Sequence, residues 1–147
     1  MKIALGADHG GFTLKESIKN FLDGKAEYQV VDFGTYSTES CDYPDYARLV
    51  AEGVAGGSFD RAIMVDTTGI ASAIVGNKVA GVRATSPTDE FTTRSSREHN
   101  NSNMMVIGAQ LTGAGRAQQL VELWLKTPFA GGRHQKRLDK ITQLENS

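Results

Sequence analysis

Residues 61–83, RAIMVDTTGIASAIVGNKVAGVR, decide the fold class of this chain. An apolar run, Ala62 to Val65, reads as a buried strand, and Asp66 to Gly69 as a small polar turn. Ile70 to Asn77 then reads as a helix and Ala80 to Ala84 as a second strand. A strand, a helix and a strand in so short a span describe a parallel crossover unit. In an open parallel sheet, ligands bind beyond the carboxyl ends of strands, where the following helix begins. Asp66 stands at that point, and the turn behind it presents the N–H groups of Thr67, Thr68, Gly69, Ile70 and Ala71 at a helix N-terminus. Such a terminus favours anionic groups. Asp66 has two readings here: a base beside an oxyanion site, or a cap on the helix that follows.

The same alternation extends in both directions. Strands are expected at Ile3–Ala7, Tyr28–Phe33 and Met104–Ile107. Helices are expected near Thr13–Leu22, Tyr46–Ala55, Asp89–Glu98, Gly115–Leu125 and His134–Leu144, with Thr88 as the N-cap of the third. Five strands separated by helices predict a single α/β domain, a five-stranded parallel sheet wound on both faces into three layers. A chain of 147 residues has room for one such core.

Composition narrows the partners. Hydrophobic residues at 39% and charged residues at 22% suit a globular domain. A formal charge of −1, from 16 basic and 17 acidic residues, gives no general attraction to nucleic acid or to an anionic membrane. The single cysteine, Cys41, excludes an intramolecular disulfide, and no zinc-type cysteine pair is present. No apolar run reaches the length of a membrane span and no signal-peptide pattern opens the chain, so a cytoplasmic setting is expected.

Four polar constellations fall at strand ends or in loops. GADHGG, Gly6 to Gly11, offers glycines for close backbone approach, with Asp8 as acceptor and His9 as a switchable donor. CDYP, Cys41 to Pro44, places Tyr43 where it can cover a ligand or simply pack. REHNNSN, Arg97 to Asn103, carries His99 and Asn100; His99 suits acid–base work or a helix C-cap. GGRHQKR, Gly131 to Arg137, sets Arg133 and Arg137 four apart on one helix face, which suits a phosphate dianion.

These motifs, in this order and nearly end to end, resemble the family of ribose-5-phosphate isomerase B and the two subunits of galactose-6-phosphate isomerase. The resemblance implies a Rossmann-like fold and metal-free, cofactor-free aldose–ketose isomerisation of a phosphosugar. It also implies a homodimer or tetramer with active sites between subunits, and a final helix at the subunit interface. Carried over by motif, Asp8 and His9 contact the sugar and its phosphate, Tyr43 lines the pocket, and His99 assists ring opening. Asn100 hydrogen-bonds the substrate and Arg133 and Arg137 hold the phosphate. The backbone from Thr67 to Ala71, with Thr68 and Gly69 matching the pattern, stabilises a cis-enediolate.

The chain departs from the resemblance at its centre. The commonest turn in the family is Cys-Gly-Thr-Gly-x-Gly, whose cysteine is the base; here it reads Asp66-Thr67-Thr68-Gly69-Ile70-Ala71. The glutamate that some relatives use a turn later is Ser72, and Gln110 stands where many carry a phosphate-binding arginine. Asp66 is therefore expected to take the base's role, as a glutamate does in the enediol chemistry of triosephosphate isomerase. The alternative expectation is that the chain is a phosphosugar-binding partner of a cysteine-bearing paralogue. It resembles in this respect the one of the two galactose-6-phosphate isomerase subunits that also lacks the expected cysteine.

Overall fold

Alternation of side chains along each strand explains the layers. The computed structural model describes all residues, 1–147. It contains β1 (Lys2–Ala7), α1 (Phe12–Asp23), β2 (Gln29–Asp32), α2 (Tyr43–Ala55), β3 (Arg61–Asp66) and α3 (Ala71–Asn77). These are followed by β4 (Ala84–Thr85), α4 (Glu90–Glu98), β5 (Met104–Gly108), α5 (Ala114–Lys126) and α6 (Arg133–Glu145). Ile3, Leu5, Ile63, Val65, Met105 and Ile107 point to one face, where Leu14, Ile18 and Leu22 of α1 and Leu120 and Trp124 of α5 cover them. Ala4, Ala62, Met64, Met104 and Val106 point to the other, against Ala47, Val50, Ala51 and Val54 of α2. Successive strand residues face opposite ways, so a strand buried on both sides must be apolar throughout.

All strand pairs are parallel, and the sheet order is β2-β1-β3-β5-β4. The chain winds one way from β1 to β2 and the other way from β1 to β3. The topological switch point therefore lies between the carboxyl ends of β1 and β3, which is where such sheets take ligands. Asp8 and Asp66 stand at those two ends. The expected α/β fold, five parallel strands with helices on both faces, is the fold observed. No helix is long and apolar enough to cross a membrane.

Beyond shifts of a single residue at element ends, the structure departs from the sequence expectation at one strand, one helix start and one helix cap. The strand expected at Ala80–Ala84 is reduced to Ala84–Thr85. Val82 N–H closes a turn on the Val79 carbonyl (3.1 Å), and Gly81 has φ +86°. The next two donors go to side chains, Arg83 N–H to Asn103 Oδ1 (2.7 Å) and Ala84 N–H to Asn77 Oδ1 (2.8 Å). With its donors taken, this edge makes only a short ladder. Helix α2 begins at Tyr43 rather than Tyr46, since Pro44 in its first turn needs no N–H partner. Asp89, not Thr88, caps α4: its carboxylate accepts from Thr92 N–H at 2.7 Å, closing a capping box.

Candidate active site

Glycines bring the loops after β1 and β3 into contact. A Cβ on Gly11 would sit 2.1 Å from the Val65 carbonyl oxygen, and one on Gly10 would sit 2.5 Å from Thr67 Oγ1. Only bare backbone lets the Asp8–Gly11 loop lie against the end of β3. Asp8 is 6% exposed and accepts from Gly11 N–H at 3.0 Å. His9 is exposed, and its Nδ1 accepts from Cys41 N–H at 3.2 Å, with Cys41 Sγ 3.8 Å away. An accepting Nδ1 places the proton of neutral His9 on Nε2, which is then a donor.

The loop carrying Cys41 is anchored by a buried cation. Lys15 Nζ is fully buried and donates to both oxygens of Asp32 (2.8 and 2.7 Å) and to the Thr35 carbonyl (2.7 Å). This pins α1, the end of β2 and the start of the following loop together. Tyr43, the first residue of α2, is partly exposed beyond that loop.

Asp66 is 3% exposed and ends β3. One carboxylate oxygen accepts from Gly69 N–H and the other from Ser72 N–H at 3.0 Å. It therefore spans the turn and caps the start of α3 from several residues away, while Ile70 occupies the N-cap position itself. A carboxylate has about four acceptor sites, so two bonds leave capacity for a proton. Thr68 Oγ1 takes Ile70 N–H at 3.3 Å. The N–H groups of Thr67, Thr68 and Ala71 have no internal partner. Gly69, at φ +82°, turns the backbone against Gly108, whose Cβ would lie 2.5 Å from the Thr68 carbonyl carbon. A buried carboxylate thus lies beside unclaimed donors, and base and anion cradle share one turn.

The remaining expected site residues gather elsewhere. His99 is the C-cap of α4; its Nδ1 lies 3.1 Å from Ser95 Oγ, and its ring stacks on His134 with centroids 4.3 Å apart. Arg133 and Arg137 are exposed on the first turns of α6 beside them. Desolvation, then the His99 imidazole and the charges of Arg133 and Arg137, lower the His134 pKa from its ordinary value. Sequence reasoning on GGRHQKR fixes on the two arginines and misses His134, although an imidazole between two arginines is a visible signal. Asn100 borders two clefts, one of about 590 Å³ between α3, β4 and α6 and another of about 310 Å³ along α4. Neither cleft is lined by Asp66.

The two groups occupy opposite ends of the sheet. Asp66 is level with Gly108 at the carboxyl end of β5, whereas His99 precedes the amino end, where Ala62 pairs with Met104. The intervening strand is about 13 Å long at ~3.3 Å per residue. One chain brings together Asp8, His9, Thr67 and Asp66, and separately His99, His134, Arg133 and Arg137. It does not bring the two groups together. No group of three or more His, Cys, Asp or Glu side chains is placed to hold a metal ion.

The ribose/galactose isomerase family matches residues 3–141. The chain belongs to that family. It is 42% identical to ribose-5-phosphate isomerase B of Escherichia coli over 144 residues, 98% of this chain and 96% of the relative. Its fold superposes on Clostridium thermocellum ribose-5-phosphate isomerase B with a TM-score of 0.97 and 45% identity, covering 99% of this chain and 98% of the other. It is also similar to ribose-5-phosphate isomerase B of Mycoplasma genitalium, solved with bound ribulose-5-phosphate: TM-score 0.94, 37% identity, covering 99% and 97%. Within this family, the carboxylate at position 66 and the separation of the two groups are what this chain's function must accommodate.

Proposed function

We propose that this chain is an aldose–ketose isomerase of sugar phosphates, with Asp66 as the base and with each active site completed by a second copy. The observation that carries this reading is the buried Asp66 carboxylate beside the unpartnered N–H groups of Thr67, Thr68 and Ala71, at the switch point of the sheet. Moving a proton between C1 and C2 of a sugar requires a base and a stabilised oxyanion. Asp66 takes the C2 proton of the open-chain aldose while the turn's N–H groups receive the charge on the cis-enediolate oxygen. The O2 hydroxyl proton passes to O1 and the carbon-bound proton returns at C1, leaving the carbonyl at C2 of the ketose. The Thr68 hydroxyl, Gly69 and the exposed Ile70 form the rim of this turn.

His99 opens the sugar ring, Asn100 holds a hydroxyl, and Arg133 and Arg137 hold the phosphate, all supplied from the other end of a neighbouring copy. His9, Asp8 and Tyr43 complete the pocket on the Asp66 side. The neighbouring copy also covers α6, where Leu138 is buried but Ile141 and Leu144 are 43% and 74% exposed. The substrate class is a phosphosugar of the kind that the Mycoplasma genitalium relative was solved with. Turnover of ribose 5-phosphate, or of a hexose 6-phosphate or tetrose 4-phosphate, by the purified chain tests the reading. Absence of turnover on all of them refutes it.

A second reading has its own support. Both Asp66 oxygens already serve the turn as caps, which is the geometry of a structural carboxylate. On this reading the chain binds a phosphosugar as the partner of a catalytic paralogue. Phosphosugar binding without turnover, together with activity on adding such a paralogue, would establish it.

Both readings give Arg137 the same task. Losing one charge-assisted contact costs about 1.5–3 kcal/mol, so Arg137→Ala is expected to weaken phosphosugar binding roughly tenfold or more. Calorimetric titration checks this. An unchanged dissociation constant would move the phosphate site off α6.

A further inference from the structure

The residues that hold the His99–Asn100 segment in place are two arginines to which the proposed reaction assigns no part. Asn101 has φ +46°, the one non-glycine residue in the left-handed region. That backbone is unfavourable for a residue with a side chain, though asparagine tolerates it better than most. Arg83 Nε donates to the carbonyls of both Asn100 (3.1 Å) and Asn101 (3.0 Å). Arg97 Nη1 donates to Asn101 Oδ1 (2.9 Å) and the Ser102 carbonyl (2.6 Å), while its Nε reaches the Thr127 carbonyl (3.1 Å). Two guanidinium groups thus grip a three-residue turn through its carbonyls and one side chain.

Their electrostatics set them apart from ordinary surface arginines. Arg97 is 2% exposed, and neither arginine makes an ion pair with a carboxylate. Burial, then the charges of Arg61 and Arg83, bring the Arg97 pKa down to about 10, so it remains protonated at neutral pH. A buried cation without a counter-ion is costly. Here carbonyl oxygens supply the compensation, aided by the negative end of the α4 dipole. The same bonds that solvate the charge immobilise the turn.

We propose that Arg83 and Arg97 are positioning residues. They clamp the backbone of Asn100–Ser102 and thereby fix His99 and Asn100 where the substrate needs them. This rests on the isomerase reading above. The carbonyls of Asn100 and Asn101 accept from Arg83, which lines the 590 Å³ cleft beside Asn100, while Asn100 itself is exposed at the border of both clefts. A fixed Asn100 amide and a fixed His99, whose own N–H is held by the Ser95 carbonyl at 2.9 Å, need no reordering when substrate arrives.

Arg83 is the residue to change, because it is only half-buried and its loss spares the interior. Arg83→Met keeps the aliphatic stem and removes the fork; Arg83→Lys restores one charged donor. In Arg83→Met, amide exchange at Asn101 and Ser102, followed by NMR, is expected to quicken while the melting temperature changes little. Turnover should fall about tenfold to a hundredfold, the scale of an ångström's misplacement, and Arg83→Lys should recover part of it. Unchanged exchange overturns the clamp. Faster exchange with unchanged kcat and KM overturns the positioning role. Should the wild type turn over no phosphosugar, the isomerase reading falls, and exchange alone then upholds or overturns the clamp.

Discussion

Asp66→Asn is expected to lower turnover by about 10²–10⁴-fold, the usual worth of a general base, while leaving the fold and phosphosugar binding in place. Asparagine has the same shape as aspartate, and its amide oxygen can still accept one of the two N–H groups, Gly69 or Ser72, that the carboxylate now holds. What it cannot do is take a proton from carbon. The substitution therefore separates the two tasks, capping and proton abstraction, that fall to one side chain. A purely capping Asp66 predicts a modest stability loss and near-normal kcat. A fall in turnover smaller than about tenfold would remove Asp66 from the chemistry. The comparison is steady-state kinetics on the phosphosugar that the wild type prefers, with circular dichroism and calorimetry as controls for fold and binding.

Gly11→Ala is expected to be the most damaging single-methyl change in the chain. Gly11 has φ −101°, which any residue adopts, so backbone strain plays no part. The added Cβ would lie 2.1 Å from the Val65 carbonyl oxygen, 2.5 Å from its carbon and 2.9 Å from its Cβ. No flexible side-chain end can yield there. The β1 loop must lift off β3, disturbing the bond from Gly11 N–H to Asp8 and the hydrogen bond from Asp8 N–H to the Val65 carbonyl (3.2 Å). Overpacking typically costs about 1–3 kcal/mol; with no neighbour able to yield, the upper end is expected here, which lowers the melting temperature of a chain this size by roughly 10 °C. Gly115→Ala, in open space inside α5, is the control and is expected to be neutral or slightly stabilising. Equal melting temperatures for the two variants would contradict the contact between the β1 and β3 loops.

The central strands are legible in the sequence because burial on both faces forces continuous apolar runs, as in Ile3–Ala7 and Met104–Ile107. The polar residues after those runs are legible for the same reason, since Asp8 and Asp66 interrupt apolar sequence at strand ends. The edge strand is overestimated because its pairing is set by Asn77 and Asn103, distant side chains that take the backbone donors of Ala84 and Arg83. Motif order also says nothing about which end of the sheet each motif reaches. REHNNSN follows a helix that returns the chain to the amino ends of the strands, so His99 lies far from Asp66 despite their shared chemistry. Arg83 and Arg97 escape a sequence reading because an arginine that solvates carbonyls looks like any other charged residue.

Complementation between two defective chains tests the shared site most directly. Asp66→Asn damages the carboxyl end of the sheet and His99→Ala the amino end, so each alone is expected to be nearly inactive. In a site built from two copies, a mixed assembly contains one pocket carrying both lesions and one carrying neither. Unfolding and refolding equal amounts of the two variants together, with random pairing into dimers, should then restore about one quarter of wild-type turnover. A mixture no more active than its parents, with mixed assemblies demonstrated by differential tags, would place the whole active site within one chain and contradict the account.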